Sequence, residues 1–421
     1  MAIESDVLVI GGGLAGMMSA VAAAREGASV RLVSYKQSTL RQASGLIDLL
    51  GYLPDEGTPV VSPYDAIGGL PAEHPYSIVG VDRVRDAMAL FDATTSYAGA
   101  GAERNTVVAT HAGGYKPTFR TPQSVSPGSL AETDAMLLVG FDPITDFDAP
   151  FVAALLAEAG VPFDVRGETL SFPIEQASDA GITRFAALID ENPTVPGTEQ
   201  SLQRWIAAAI RQNLEGAERV GIPAILGTQD PAAIMLELEQ AIGVPVFEVP
   251  MGPPSLLGTR LEAELHAALD DAGVSMELGN PVVDADSDDR ISAVYVEKNH
   301  ATIPYGAEEY ILATGGLVGK GVGSDRGQVY EPIFGCHVAH PDDRAAWYDD
   351  AVFGDHPFPR FGVTVDGEMR PQTADGQIEY DNLRAAGSVI GGADFAKEKS
   401  GSGISIATGV TAGVAAAEEA T

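Results

Sequence analysis

An α/β protein built on a parallel sheet, with a second α/β domain inserted into the first, is the fold class this sequence predicts. Three observations predict it. A short apolar run, Val7–Ile10, passes through GGGLAG into an alanine-rich stretch and then a second apolar run, Ser29–Val33, which is the order strand, turn, helix, strand. From about residue 135 to residue 275, apolar runs of strand length alternate with runs of helix length. Two late segments, ILATGG and NLRAAGSVIGG, are apolar runs that break into glycine, and a last alanine-rich helix follows them.

The elements follow in order. Gly11, Gly13 and Gly16 stand in GxGxxG spacing directly between the first strand and its helix. The first glycine permits the tight turn, the second lets the backbone approach a phosphate, and the third lets helix pack on strand. The N–H groups of Leu14, Ala15 and Gly16 then face an anion from the positive end of the helix. This is a Rossmann-like, FAD/NAD(P)-type binding pattern. Residues 61 to about 130 are rich in Pro, Gly and Ser and give no clear elements. AMLLVGFD reads as a strand, APFVAALLAEAG as a helix ending at its glycine, and VPFDVRGETLSF as a strand or hairpin. SLQRWIAAAIRQNLEG is a helix, IPAILG a strand, PAAIMLELEQAIG a helix with Pro near its start, PVFEVPM a strand and TRLEAELHAALDDAG a helix. VSMELGN, ISAVYVEKN and YGAEEYILATGG read as strands. The expected division is a Rossmann-like domain of residues 1–60, 268–330 and 375–421, and an α/β cap of residues 61–267 with 331–374.

At the end of the second strand, where an adenosine ribose usually meets a carboxylate, stand Ser34, Tyr35 and Lys36. From Gly27 to Ile47 there is no Asp or Glu, although 59 acids in 421 residues would place about three there. Arg31, Lys36 and Arg41 occupy that window instead. A second acid-free window, Arg104 to Ala131, holds Arg104, His111, Lys116 and Arg120. In so acidic a chain, such gaps read as places where anions bind. Three cofactors fit the missing acid: a nicotinamide dinucleotide with a 2′-phosphate, FMN, which has no adenosine ribose, and FAD with Ser34 as a weaker ribose partner. The late glycine segments favour a flavin. Thr314, Gly315, Gly387 and Gly391 allow close approach of the chain to it. The last helix, through Gly403 and Ile404, turns its positive end toward the pyrimidine side, where reduction builds negative charge. FMN is the expected cofactor and FAD the alternative.

The net charge is −34, with 59 acids against 25 bases, and the acids are scattered as in DADSDD and HPDDRAAWYDD. Scattered acid at this level suits a surface kept soluble in high salt. It also makes nucleic acid a poor partner, because phosphate binding needs a basic face. One cysteine, Cys336, allows neither an internal disulfide nor an iron–sulfur cluster held by this chain alone. The acidic start, MAIESD, lacks the basic region of a signal peptide, and no apolar run reaches the ~20 residues that span a bilayer. A cytoplasmic location is expected, with any attachment to the membrane's inner face made through a partner.

The segments QSTLRQASGLIDLL, HPYSIVG, PPSLLGTRL, FGVTVDGEMRP and NLRAAGSVIGG, in that order, resemble the B-subunit family of anaerobic glycerol-3-phosphate dehydrogenase over nearly the whole chain. The resemblance implies an FMN-containing flavoprotein that works beside an FAD-containing A subunit and a membrane-anchored iron–sulfur subunit. That complex oxidises sn-glycerol 3-phosphate to dihydroxyacetone phosphate and sends electrons toward quinone. In the resembling motifs, Ser44 and Gly45 join the cofactor candidates. Oxidising a secondary alcohol needs a base for the hydroxyl proton and an acceptor for the hydride. His300, His337 and His111 are the candidate bases. Arg41, Arg120, Arg260 and Arg370 are the candidates for the substrate phosphate, since the guanidinium fork is bidentate. Two rival readings stand beside this one. The first is a self-contained flavin dehydrogenase or reductase of the fumarate-reductase-like type. The second is a non-catalytic scaffold or electron-transfer protein, with substrate oxidation wholly on the A subunit.

Overall fold

The computed structural model describes residues 3–54, 56–175 and 180–421. The chain forms two units, the first of residues 1–39, 48–95 and 263–421 and the second of residues 40–47 and 96–262. The expected boundaries shift. Residues 61–95 and 331–374, assigned to the cap, belong to the first unit, and residues 40–47, assigned to the Rossmann-like domain, belong to the second. The local reasons are visible in each unit. Val363 bridges Ile390 within the first, and Ile47 bridges Arg120 within the second.

The first unit is built on a seven-stranded sheet in the order Val282–Ser287, Ile291–Lys298, Ala301–Leu312, β1 (Ile3–Ile10), β2 (Val30–Ser34) and Ser275–Leu278, with Leu383–Ala385 added to Ala301–Leu312. The centre is parallel: Ile10 lies opposite Val33 and Leu312, and Leu312 opposite Ala385. One register therefore carries Gly11, Ser34, Ala313 and Ala386 to the same edge of the sheet. The two strands at the far side run antiparallel. Val7, Leu8 and Val9 are fully buried, as a central parallel strand requires.

β1 leads into helix α1 (Leu14–Arg25), which packs along the C-terminal helix Gly401–Ala420. Both are rich in Ala and Gly, so their backbones come close: a Cβ on Gly409 would lie 2.5 Å from Ala15 O, and one on Gly413 would lie 2.3 Å from Ser19 O. The helix Val81–Thr94, from the stretch that gave no clear elements, also lies against the C-terminal helix.

The second unit has a four-stranded parallel sheet in the order Val165–Leu170, Met136–Phe141, Arg219–Pro223, Val246–Val249. Helices Ala149–Glu158, Ile182–Glu191, Leu202–Gln212 and Pro231–Ile242 connect its strands. Their starts follow capping rules: Asp148 accepts from Phe151 N–H, and Asp230, before Pro231, accepts from Ala233 N–H, each at 3.0 Å. Phe141, Phe172 and Phe185 stack edge-to-face through its core, at 5.6 and 5.2 Å between centroids, each pair worth about 0.5–1.5 kcal/mol beyond area burial. VPFDVRGETLSF is one strand and no hairpin. The strand expected at IPAILG sits earlier, at Arg219–Pro223, and beyond it Leu226 N–H donates to Glu248 at 2.8 Å in place of a strand partner. The helix Ile182–Glu191 was not anticipated.

Candidate functional site

The turn after β1 is the most developed feature of the first unit. Gly11 has φ +121°, and a Cβ there would sit 2.2 Å from Ala313 O, so only glycine fits. A Cβ on Gly16 would sit 1.9 Å from Gly11 O, which is the helix-on-strand contact expected of the third glycine. Gly13 is different. It caps α1 with φ −84°, in a conformation any residue can adopt, and nothing lies within 4 Å of the place its Cβ would occupy. Its bare side faces open space. Among the described residues, the N–H groups of Gly12, Gly13, Leu14, Ala15 and Gly16 have no hydrogen-bond acceptor. The first turn of α1 holds no acid. Five unsatisfied donors at a helix start, beside an open face, make a seat for an anionic group.

Around this turn the structure gathers Ser34, Thr314 and Gly387. Ser34, at the end of β2, lies against Gly12, whose Cβ would come 2.7 Å from Ser34 Oγ. The Ser34 hydroxyl donates to Lys36 O at 3.2 Å, which leaves its lone pairs free to accept. Lys36 itself is exposed and lies 5.7 Å over the Tyr35 ring. Thr314 Oγ1 is buried without a hydrogen-bond partner among the described residues, and Gly316 N–H donates to Ser388 Oγ at 3.0 Å. Gly387, at φ +76°, faces Ala15, and its N–H donates to Thr408 Oγ1 at 2.8 Å. Open amides, an orphaned hydroxyl and a bare glycine together fit a flavin with a phosphate-bearing tail.

Several candidates have other roles. Gly403 N–H donates to Asp48 O at 2.9 Å and Ile404 N–H to Ser400 O at 2.9 Å, so neither offers a free amide. Gly401 and Ser402 are the residues at this helix start whose N–H groups are without acceptors among the described residues. Gly403 is needed for packing, since a Cβ would meet Tyr76 Oη at 2.2 Å. Gly391 packs on the backbone of Arg360 and Gly362, and its N–H donates to Val363 O. Ser44 and Gly45 belong to the second unit. Ser44 Oγ accepts from Leu46 N–H, and Gly45 abuts Leu257, its oxygen accepting from Tyr97 OH at 2.6 Å. Gly258 reciprocates, since a Cβ there would lie 1.9 Å from Leu40 O. The motifs QSTLRQASGLIDLL and PPSLLGTRL thus meet in one tight packing contact.

Each of the four candidate arginines has protein partners of its own. Arg120 is 2% exposed, and its Nη1 donates to Ala102 O and Phe119 O. Arg260 forks onto the fully buried Glu248, at 2.5 and 3.1 Å, and onto Gly227 O. Arg370, in the first unit, closes a turn on Asp366 at 2.7 Å. Arg41 is bonded through Nε to the buried Glu262, and its two Nη groups are without a partner among the described residues. Arg370 Nη1 is likewise without a partner among the described residues. Much of the second acid-free window is interior, Val108, Ala109, Phe119, Arg120 and Thr121 being buried.

Of the histidines, His300 lies in the exposed turn that joins Ile291–Lys298 to Ala301–Leu312. A 12-residue strand separates it from the glycine edge, roughly 35–40 Å, so it is no base for chemistry there. His111, in the second unit, borders Gly252. His337 is half-buried, and its backbone N–H donates to Glu379. Beside it, burial and the carboxylates of Glu331 and Glu379 push the Cys336 thiol far up.

One cluster was missed. His74 and Glu398 are both buried, with Nε2 and Oε2 3.0 Å apart. His74 Nδ1 accepts from Tyr76 N–H, which leaves the ring's proton on Nε2, aimed at the carboxylate. Glu398 also accepts from Ser400 OH at 2.9 Å and Asp394 N–H at 2.8 Å. Tyr76 OH donates to Leu49 O, and burial pushes its ionisation well up. The cluster fixes the start of the C-terminal helix beside Gly401 and Ser402. HPYSIVG and AKEKSGSG carry it, but 324 residues separate the two partners and nothing local links them.

Fold and site define a flavoprotein oxidoreductase, and a family model described as an FAD binding domain matches residues 6–404. A protein of Halobacterium salinarum, named as the probable B subunit of anaerobic glycerol-3-phosphate dehydrogenase, is 57% identical over 99% of this chain and 99% of its own. The protein of Vibrio cholerae named as the B subunit of the same dehydrogenase is 32% identical over 96% of this chain and 94% of its own. The chain belongs to the B-subunit family of anaerobic glycerol-3-phosphate dehydrogenase. A flavocytochrome c3 fumarate reductase in its open conformation aligns with 99% of this chain and 79% of its own, at 12% identity and a TM-score of 0.43, a likeness that carries no weight for function. FMN, the expected cofactor, finds no support in these comparisons, since the matching model is one for FAD. No described helix is long and apolar enough to cross a membrane.

Proposed function

We propose that the chain binds FAD at the Gly11–Gly16 turn and serves as the B subunit of a quinone-linked anaerobic glycerol-3-phosphate dehydrogenase. The observation that carries this reading is the row of open amides facing the bare side of Gly13, in a chain 57% identical to a relative of that name. The amides would hold the pyrophosphate. Ser34 Oγ, with its hydrogen directed to Lys36 O, would accept from the ribose hydroxyl that usually meets a carboxylate. That arrangement answers the missing acid without requiring FMN. Gly401 and Ser402 N–H would favour negative charge near the start of the last helix. The bound flavin supplies an acceptor for two electrons.

The substrate is sn-glycerol 3-phosphate, oxidised to dihydroxyacetone phosphate. Arg41, braced by Glu262, is the arginine proposed for its phosphate, and His111 of the same unit for its hydroxyl proton. The partners are the A subunit and an iron–sulfur subunit, which takes the electrons toward quinone and holds the complex at the inner face of the membrane. A second reading has support of its own. Arg120 is buried, and Arg260 is spent on protein acceptors. That favours an electron-transfer role here, with alcohol oxidation on the A subunit. The experiment is to release and identify the flavin by chromatography, then add sn-glycerol 3-phosphate anaerobically to this chain alone and to the assembled complex. FAD at about one per chain, bleached by substrate in the isolated chain, supports the first reading. FAD bleached only in the complex supports the second. FMN, or no flavin after reloading, overturns the cofactor assignment.

A further inference from the structure

The segment from Pro341 to Phe358 of the first unit takes no part in the site described above. Phe353 is fully exposed and Val352 beside it is 81% exposed. The loop that displays them is braced. His356 Nδ1 accepts from Asp349 N–H at 3.1 Å, and its Nε2 meets Val352 O at 3.0 Å, so one imidazole ties the base of the loop to its tip. Asp349 Oδ1 accepts from Ala351 N–H at 2.7 Å, and Gly354 N–H donates to Ala351 O at 2.8 Å. A Cβ on Gly354 would lie 2.3 Å from the Asp349 carboxyl carbon, so a larger residue there would displace that side chain. Behind the loop, Trp347 is buried edge-on to His340 and Phe361, with its Nε1 donating to Pro341 O at 2.7 Å. The loop is held from both sides with an apolar pair at its tip.

The loop and its flanks, residues 341–360, carry Asp342, Asp343, Asp349, Asp350 and Asp355 against Arg344 and Arg360. Asp355 is paired with Arg360 and Lys397. None of the other four has an ion pair among the described residues. The charge selects the occupant. A second copy meeting this loop about a two-fold axis would bring the same carboxylates against themselves. An anionic bilayer would be repelled likewise. A different protein with an apolar pocket rimmed by Lys or Arg complements both the tip and its surround.

We propose that Val352–Phe353 is a docking plug that seats in a basic-rimmed apolar pocket of another protein of the complex. This rests on the reading of the chain as one of several subunits. The test co-expresses the tagged full chain, in a salt-tolerant host, with the A subunit and the iron–sulfur subunit, both taken from the same genome. Retained partner, flavin content and melting temperature are measured together. Phe353→Asp is expected to lower partner retention at least tenfold with flavin and melting unchanged. Asp350→Lys is expected to lower it severalfold. Phe151→Asp, at a half-exposed position of the second unit, is expected to change nothing. A wild-type chain that retains its partners while Phe353→Asp retains them equally overturns the plug alone. A wild type that retains neither partner overturns the plug and the multisubunit reading together. A wild-type dimer split by Phe353→Asp in sedimentation, or flotation with phosphatidylglycerol vesicles lost in that variant, also overturns the proposal, in favour of self-association or lipid.

Discussion

Replacing Gly13 with valine separates what the fold needs from what a cofactor needs. The backbone there, at φ −84° and ψ −178°, suits valine, and no protein atom lies within 4 Å of the new Cβ. Valine is a poorer helix cap than glycine, a cost of about 1 kcal/mol. The stiffer unfolded chain offsets about 0.4–1 kcal/mol of it. The net change is therefore within about 1 kcal/mol, and the melting temperature moves by less than about 4 °C. A phosphate on the amides of Gly12 to Gly16 fares differently. The branched side chain occupies the open face, and losing one or two amide bonds to an anion costs about 1.5–3 kcal/mol each. At 1.4 kcal/mol per decade, flavin affinity falls at least about tenfold. Flavin titration by fluorescence quenching, run beside thermal melting, reads both quantities. Gly16→Ala is the opposite control: its Cβ would lie 1.9 Å from Gly11 O, and overpacking there costs about 1–3 kcal/mol of stability. A Gly13→Val chain that binds flavin within twofold of wild type, at unchanged melting, would refute a phosphate seat at this turn.

Arg260→Ala strands the fully buried Glu248 and is expected to cost about 3–5 kcal/mol in denaturant unfolding. Arg41→Ala leaves the buried Glu262 carboxylate without its partner and is expected to cost about 1–3 kcal/mol of stability, and to raise the KM for glycerol 3-phosphate if Arg41 holds the phosphate. An unchanged KM removes Arg41 from the substrate site. Cys336, buried and with its thiol pushed up, is expected to react with a chromogenic disulfide reagent only after unfolding. Ser29 N–H and OH hold the Asp6 carboxylate below its ordinary range. Its contribution is present above pH about 4 and is lost as pH falls through the lower folded value. Asp6→Asn is therefore expected to lower the melting temperature at pH 7, with the gap closing as pH drops below about 4.

The glycine turn was legible because its chemistry is local: three glycines, one strand and one helix lie within a few residues of one another. The strands Met136–Phe141 and Val246–Val249 of the second unit were legible for a similar reason, each being a short, fully buried run. What escaped depends on distant residues. Gly403 looks like a cofactor glycine in KSGSGISIATG, but the atoms that demand glycine are Tyr76 Oη and Leu49 Cα. Arg120 and Arg260 stand out as cations in an acidic chain, while the carbonyls and carboxylate that hold them are fixed only by the fold. The boundary error has the same origin. Residues 40–47 follow β2 in sequence, yet their hydrogen bonds go to residues near 120 and 255.

The sheet of the first unit also sets a timetable. Val7 pairs with Glu309, and Leu312 with Ala385, so β1 leaves the ribosome about 300 residues ahead of its central neighbour. At roughly 5–20 residues per second, that is about 15–60 s of waiting. In the last part of that interval, about 2–10 s, the second unit, which ends at residue 262, has all its own parts and can close first. The fully apolar edge Val7–Ile10 and the alanine face of α1 stay uncovered in the meantime. The newborn chain is therefore most vulnerable at its N-terminal end, where a ribosome-bound chaperone would have the longest opportunity to act.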